Sequence, residues 1–266
     1  MDFAETEDQK MIREMVREFA ETVAGPTCEK RDKEQIAPIE EFKKFAELGF
    51  AGMTIPEQYG GQKLDDISEA IVIEELSRVD PSLGVMVAVH VGLCSMTIAL
   101  SGNETQKEKY LPKLASGEFL GAYSLSEAGS GTDAAAMVAT ATDDGDCYTL
   151  NGEKMWVTNG TTADLFVLFA KVTDHPDYGK KSHGGVTCFI IEKGFEGFQI
   201  GKKEDKLGIR SSDTCTLILN NCKVPKENVL GEVGKGFPIA MNALDNSRIG
   251  IACLLYTSPS PRDLAV

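Results

Sequence analysis

The 266 residues contain one tryptophan, three histidines and no Cys-x-x-Cys pair. The histidines, at 90, 175 and 183, offer no zinc-ligand spacing, so no metal site is expected and each reads as a core or loop residue. The seven cysteines are odd in number and scattered, which points to free thiols in a reducing compartment rather than a disulfide framework. Cations are also short: 27 Lys and Arg face 41 Asp and Glu, leaving a net charge of −14. That balance argues against general binding to nucleic acid or to anionic membranes. An anionic ligand would need a local cationic site, for which Arg210 and Arg248 are candidates. The longest apolar run, Leu83 to Leu100, is interrupted by His90 and several small residues, and reads as a buried helix rather than a membrane span. The N-terminus is acidic and amphipathic, unlike a signal or Arg-rich transit peptide.

What is present is ordinary for a soluble globular protein, with 42% hydrophobic and 26% charged residues. The length suffices for one large or two smaller domains. The periodicity predicts an α+β multidomain chain. Residues 1–118 repeat apolar side chains at helical spacing: Met11/Ile12, Met15/Val16, Phe19/Ala20 and Val23, then Ile39, Phe42, Phe45/Ala46 and Leu48. Thr6 with Gln9 suits a capping box, a helix over about 66–79 stops at Asp80-Pro81, and Thr105 to Glu108 suits the cap of another that breaks near Pro112. Across 119–228 the period becomes two. Leu165 to Val172, Gly185 to Glu192, Phe198 to Lys202 and Thr214 to Asn220 read as strands with no alternating helices, which predicts a β-barrel or sandwich. Helical spacing returns over 229–252, with Pro238 near a helix start. The stripe fails at Cys253, where Ser258-Pro259-Ser260-Pro261 cannot continue a helix. Residues 253–266 therefore read as a non-native tail.

One stretch organises the middle of the chain. Tyr123 to Ser126 alternates as a strand, then breaks into a small-residue loop at Gly129 and Gly131 whose backbone could approach an anion. A plain turn is the alternative. Gly129 to Ala134 fits G-x-G-x-x-A, but that dinucleotide fingerprint needs a helix directly after it, and Met137 to Thr142 has strand character instead. Further on, Asn151-Gly152 reads as a hairpin turn between Cys147–Leu150 and a return strand Glu153–Thr158. On that strand Trp156 and Thr158 face one side, an indole beside a hydroxyl suited to a planar ring. A tryptophan over the barrel core is the alternative. On the last helix Asp245 and Arg248 share a face, a surface ion pair unless a ligand uses it.

Tyr123 to Asp133 and Trp156-Val157-Thr158-Asn159 resemble the two flavin-binding signatures of the acyl-CoA dehydrogenases. Lys206 to Thr214 with Val224 to Asn228, and Gly234 to Phe237 with Leu244 to Ala252, also resemble that family. The likeness spans residues 1–252 and is nearest to short-chain, butyryl-CoA members. It implies FAD-dependent α,β-dehydrogenation of an acyl-CoA to the trans-2-enoyl-CoA, with electrons passed to an electron-transfer flavoprotein. FAD would be bound by Tyr123, Leu125, Ser126, Gly131, Thr132, Trp156, Val157 and Thr158. The acyl-CoA would be bound by Thr132, Leu244, Asp245 and Arg248. Ala128 stands where the family usually has proline. The family's catalytic glutamate belongs to a C-terminal helical bundle beyond residue 252, so no catalytic base is expected in this chain and the chain itself is expected to be inactive. The whole protein is expected as a homotetramer in the bacterial cytoplasm or the mitochondrial matrix. An acyl-CoA oxidase, or a non-enzymatic ligand-binding barrel, are the rival readings.

Overall fold

In the computed structural model, which describes residues 4–257, the chain begins as a helical layer. Helices α1 (Glu7–Phe19), α2 (Gly25–Glu34) and α3 (Ile39–Glu47) are followed by α4 (Asp66–Val79). The capping box at α1 is present: Gln9 N–H donates to Thr6 Oγ1 at 3.2 Å, and Thr6 N–H to Gln9 Oε1 at 3.0 Å. Asp80 ends α4 and its carboxylate caps α5 (Pro81–Ala88), accepting from Ser82 and Leu83 N–H at 3.1 Å each. A π-helical segment, Val89–Ser95, joins α5 to α6 (Met96–Ser101). This apolar stretch is long enough to cross a membrane, but 72% of its window is buried within the protein. It is a core helix, as its interruption by His90 implied.

The start of α7 (Glu104–Ala115) corrects one expectation. The cap is Asn103, not Thr105; Asn103 and Gln106 exchange side-chain-to-backbone bonds at 2.9 and 3.0 Å. Pro112 does not break the helix. The carbonyl it leaves without a donor belongs to Glu108, an exposed residue of the helix.

The β layer is one mixed sheet of eight strands: β1 (Gly121–Ser124), β2 (Thr140–Asp143), β3 (Cys147–Thr158), β4 (Leu165–Val172), β5 (Val186–Glu192), β6 (Phe198–Lys203), β7 (Thr214–Pro225) and β8 (Val229–Leu230). Their order is β6-β7-β3-β2-β4-β5-β8, with β1 parallel to β4. The sheet curls so that Phe166 of β4 meets Phe198 of β6 at 4.8 Å, and Tyr148 of β3 meets Phe189 of β5 at 5.4 Å. None of these strands is a neighbour of its partner, so the sheet closes over its own core as a barrel or sandwich does.

Asn151-Gly152 is not a hairpin turn. Cys147 to Thr158 forms a single strand against β7, and these two residues sit at a shift in its register. Gly152 has φ +142° and a Cβ there would lie 2.8 Å from the Ala139 Cβ, so the glycine serves a bulge and a close approach. The strand expected over Met137–Thr142 begins only at Thr140, after a 3₁₀ turn at Ala134–Ala136. Helix α8 (Gly236–Thr257) packs on α4, β5 and the π segment. It continues past Cys253, the expected break, to Thr257; the Ser-Pro-Ser-Pro run lies outside the described residues.

Candidate active site

A cleft of about 520 Å³ opens where β1, β3, the π segment and α8 converge. The end of β1 builds its first wall. Tyr123 is buried, its ring 5.3 Å from Phe169 and its hydroxyl 3.4 Å from the Ala240 carbonyl, so it ties β1 to α8. Burial pushes that phenol's pKa up, so it stays neutral. Beyond it, Glu127 and Ser130 exchange backbone bonds of 3.0 Å each and close a tight loop. The Glu127 carboxylate accepts from Lys154 Nζ at 2.7 Å and from the N–H groups of Val138 and Ala139 at 2.6 and 3.1 Å. It is buried and fully engaged, which removes it as a proton acceptor for any ligand.

The second wall is β3. A register shift between Lys154 and Val157 bulges the strand, and Trp156 takes φ +56°. Met155, Trp156 and Thr158 therefore all line the cleft. Trp156 remains 59% exposed. The strand end is pinned by Asn159, whose amide donates to the carbonyls of Met86 and Gly121 at 3.1 and 3.0 Å. From the helical side, Val89 and Leu93 of the π segment and Phe237, Met241, Leu244 and Arg248 of α8 complete the lining. The α8 residues recur every three or four positions, one helix face.

The chemistry of this lining is specific in kind. It offers a large exposed indole and an aliphatic wall. The hydroxyls of Ser126, Thr132 and Thr158 have no partner among the described residues. Arg248 is the only lysine or arginine in the lining. Among the described residues no cluster could hold a metal ion. A flat heteroaromatic ring with a hydrogen-bonding edge fits these groups, with an anionic or polar extension toward Arg248.

The acyl-CoA dehydrogenase N-terminal domain matches residues 6–118, and the acyl-CoA dehydrogenase middle domain matches residues 122–222. The short-chain specific acyl-CoA dehydrogenase of Clostridium acetobutylicum is 47% identical over 252 residues, 95% of this chain and 65% of that protein. The structure of butyryl-CoA dehydrogenase from Megasphaera elsdenii superposes with a TM-score of 0.91 at 41% identity, over 97% of this chain and 67% of that one. A chain from the structure of the electron transferring flavoprotein of Acidaminococcus fermentans, from work on flavin-based electron bifurcation, gives 0.92 at 47% identity, over 97% and 66%. This chain belongs to the acyl-CoA dehydrogenase family. It spans about two thirds of the length of the relatives it matches.

Within this acyl-CoA dehydrogenase chain, the structure gathers most of the residues the motifs singled out. Tyr123, Leu125, Ser126, Gly131, Thr132, Trp156, Thr158, Leu244 and Arg248 all line the cleft. Val157 does not: it is 1% exposed and packs into the core. Asp245 is also outside the lining; it bonds Arg248 at 2.9 Å, with both side chains about 70% exposed. Such a pair contributes little to stability. Arg210 is elsewhere, pairing with Asp205 at 3.3 Å and donating its N–H to Asp32 of α2. Sequence reasoning missed Val89, Leu93 and Met155, whose side chains carry no polar signal. A second cavity, of about 250 Å³, lies between α4, the π segment, α6 and α8. There burial, with Asp66 nearby, raises Glu69 to about 7.

Proposed function

We propose that the whole protein carrying this chain is an FAD-dependent dehydrogenase of short-chain acyl-CoA thioesters, forming the trans-2-enoyl-CoA and delivering electrons to an electron-transfer flavoprotein. The observation that carries the reading is the convergence of Trp156, the unpartnered hydroxyls of Ser126 and Thr158, and Arg248 of α8 on one cleft. Bound FAD supplies the hydride acceptor that no side chain can provide. The protein residues hold and shield. Trp156 offers its face to the ring, and Ser126 and Thr158 offer O–H groups to the ring edge. Phe237 and Met241 exclude water from the acyl side, which strengthens every polar contact within. Arg248 meets the anionic side of the substrate and orients the α-proton acceptor, with Asp245 holding the guanidinium.

That acceptor is not assigned to a cleft residue. Glu127 is locked into its ion pair, and Asp133 spends one oxygen on the Ala135 N–H at 3.2 Å. The base is assigned to the protein's C-terminal bundle, beyond this chain, and the active whole protein to a homotetramer in the bacterial cytoplasm. The seven cysteines are all free, in keeping with a reducing compartment. The test is anaerobic flavin bleaching by butyryl-CoA in the full-length protein, followed by mixing with oxygen or with an electron-transfer flavoprotein. Bleaching with rapid transfer to the flavoprotein supports the dehydrogenase. Fast reoxidation by oxygen alone makes it an oxidase, and a colourless protein that takes up no FAD makes it a binding module.

A further inference from the structure

We propose that Lys154 and Glu127, neither of which lines the cleft, are positioning residues: their buried ion pair fixes Ser126 and Trp156 relative to one another. The proposal rests on the flavin reading above and adds to it the device that holds the ring-facing groups in register.

The pair is enclosed, with side-chain exposures of 0% and 4% and an Nζ–Oε1 distance of 2.7 Å. The partners of both groups come from the end of β1, from β3 and from the stretch that follows the cleft-lining residues Gly131 to Ala134. Lys154 Nζ also donates to the Leu125 carbonyl at 3.1 Å. Glu127 takes the amides of Val138 and Ala139, which close the loop carrying Gly131 and Thr132. Met155 N–H donates to the Ser126 carbonyl at 2.9 Å. Ser126 thus sits between two attachments to β3, and Lys154 is the residue from which the bulge starts that turns Trp156 outward at φ +56°.

Stability alone is a poor reason for this arrangement, since a buried ion pair is often replaced by apolar side chains without loss. An apolar pair could fill the space. It could not donate to one carbonyl while accepting from two amides, and those directed bonds are what tie three cleft-bearing segments to one point. Desolvation lowers the Lys154 pKa, and the charge and hydrogen bond of Glu127 oppose that shift.

Trp156 is the chain's only tryptophan, so its fluorescence reports the bulge directly. Wild type, Glu127→Gln and the double variant Glu127→Gln/Lys154→Met are compared by acrylamide quenching without ligand, by FAD titration of the same emission, and by thermal unfolding. The expected result is altered acrylamide quenching in both variants and, in the double variant, a flavin dissociation constant raised about tenfold. Unchanged quenching overturns the proposal, whatever happens to the melting temperature, because a merely structural pair would move only the latter. Should the double variant fail to fold, Glu127→Gln, which keeps one acceptor oxygen, decides on the same readings. Should wild type show no response to FAD, this chain does not bind the flavin by itself, FAD titration of the full-length protein tests the flavin reading separately, and the ligand-free quenching still decides whether the pair sets Trp156.

Discussion

Trp156 illustrates how one residue acquires a role from its backbone. A regular strand would have placed it and Thr158 on one side by pleat alone. The bulge does more, presenting Met155 as well and leaving the indole open to solvent. An aromatic face so exposed has contact area to gain from a planar ligand. Trp156→Ala in the full-length protein is therefore expected to weaken FAD binding by about 1–2 kcal/mol. Titration of both forms checks this, and equal dissociation constants would remove the indole from the ring face. Arg248 belongs to the other side of the cleft. Its exposed bond to Asp245 is too weakly stabilising to matter for folding. Arg248→Ala is expected to leave flavin content intact and to impair turnover strongly; normal butyryl-CoA kinetics would reduce the pair to a surface bridge.

At the scale of elements, two joints hold the cleft open. One is His90 in the π segment. Its Nδ1 accepts from Gly121 N–H of β1 at 3.0 Å, so the proton is on Nε2, which donates to the Leu114 carbonyl at 3.1 Å. This neutral tautomer is buried, and desolvation depresses its pKa from 6.5 to about 4. The unfolded chain then binds a proton that the folded one refuses. Stability is full above pH 6.5 and falls as pH drops toward 4, by about 3 kcal/mol. Urea unfolding at pH 7 and pH 5 should show part of that fall in wild type but not in His90→Gln; equal slopes would place the titration elsewhere. The second joint is Gly236, where a Cβ would lie 2.6–2.8 Å from the backbone of Thr187 and Cys188. Gly236→Ala should force α8 off β5 and lower the melting temperature, with loss of flavin affinity; a fully stable, flavin-binding variant would mean that the helix start can shift freely.

Element boundaries were legible where side chains cap them, as at Thr6, Asp80 and the strands of the β layer. They were misread where one chemistry serves two geometries. Asn151-Gly152 has the composition of a turn, yet the same positive-φ tolerance serves a bulge inside a continuous strand. Asn103 was passed over for Thr105, though both can cap. The flavin-type motifs located most of the cleft, because their hydroxyls and indole are distinctive. Val89 and Leu93 stayed hidden in an apolar helix, and the Lys154–Glu127 pair spans a separation that no local pattern reveals.

For the molecule as a whole, the last helix decides what this chain can do by itself. On α8, Ile249, Ile251, Leu255 and Tyr256 are 58, 44, 72 and 84% exposed, and Ile67 of the neighbouring α4 is 60% exposed. Apolar side chains left this exposed favour association with other surfaces. The chain also spans only 65% of its Clostridium relative, and the α-proton acceptor proposed above belongs to the part it does not span; Asp133, the one carboxylate of the cleft lining, has one oxygen bonded to the Ala135 N–H. The 266-residue chain alone should therefore self-associate in a concentration-dependent way and fail to turn over butyryl-CoA. Absence of a general base removes a factor of about 10²–10⁴, and an unsupported α8 weakens the placement of Arg248 in addition. Light scattering over a concentration series tests the first part. Anaerobic bleaching of added FAD by butyryl-CoA tests the second: stoichiometric bleaching at an ordinary enzymatic rate would mean that the proton acceptor lies within this chain, with Glu69, raised to about 7 in its own cavity, the first residue to replace.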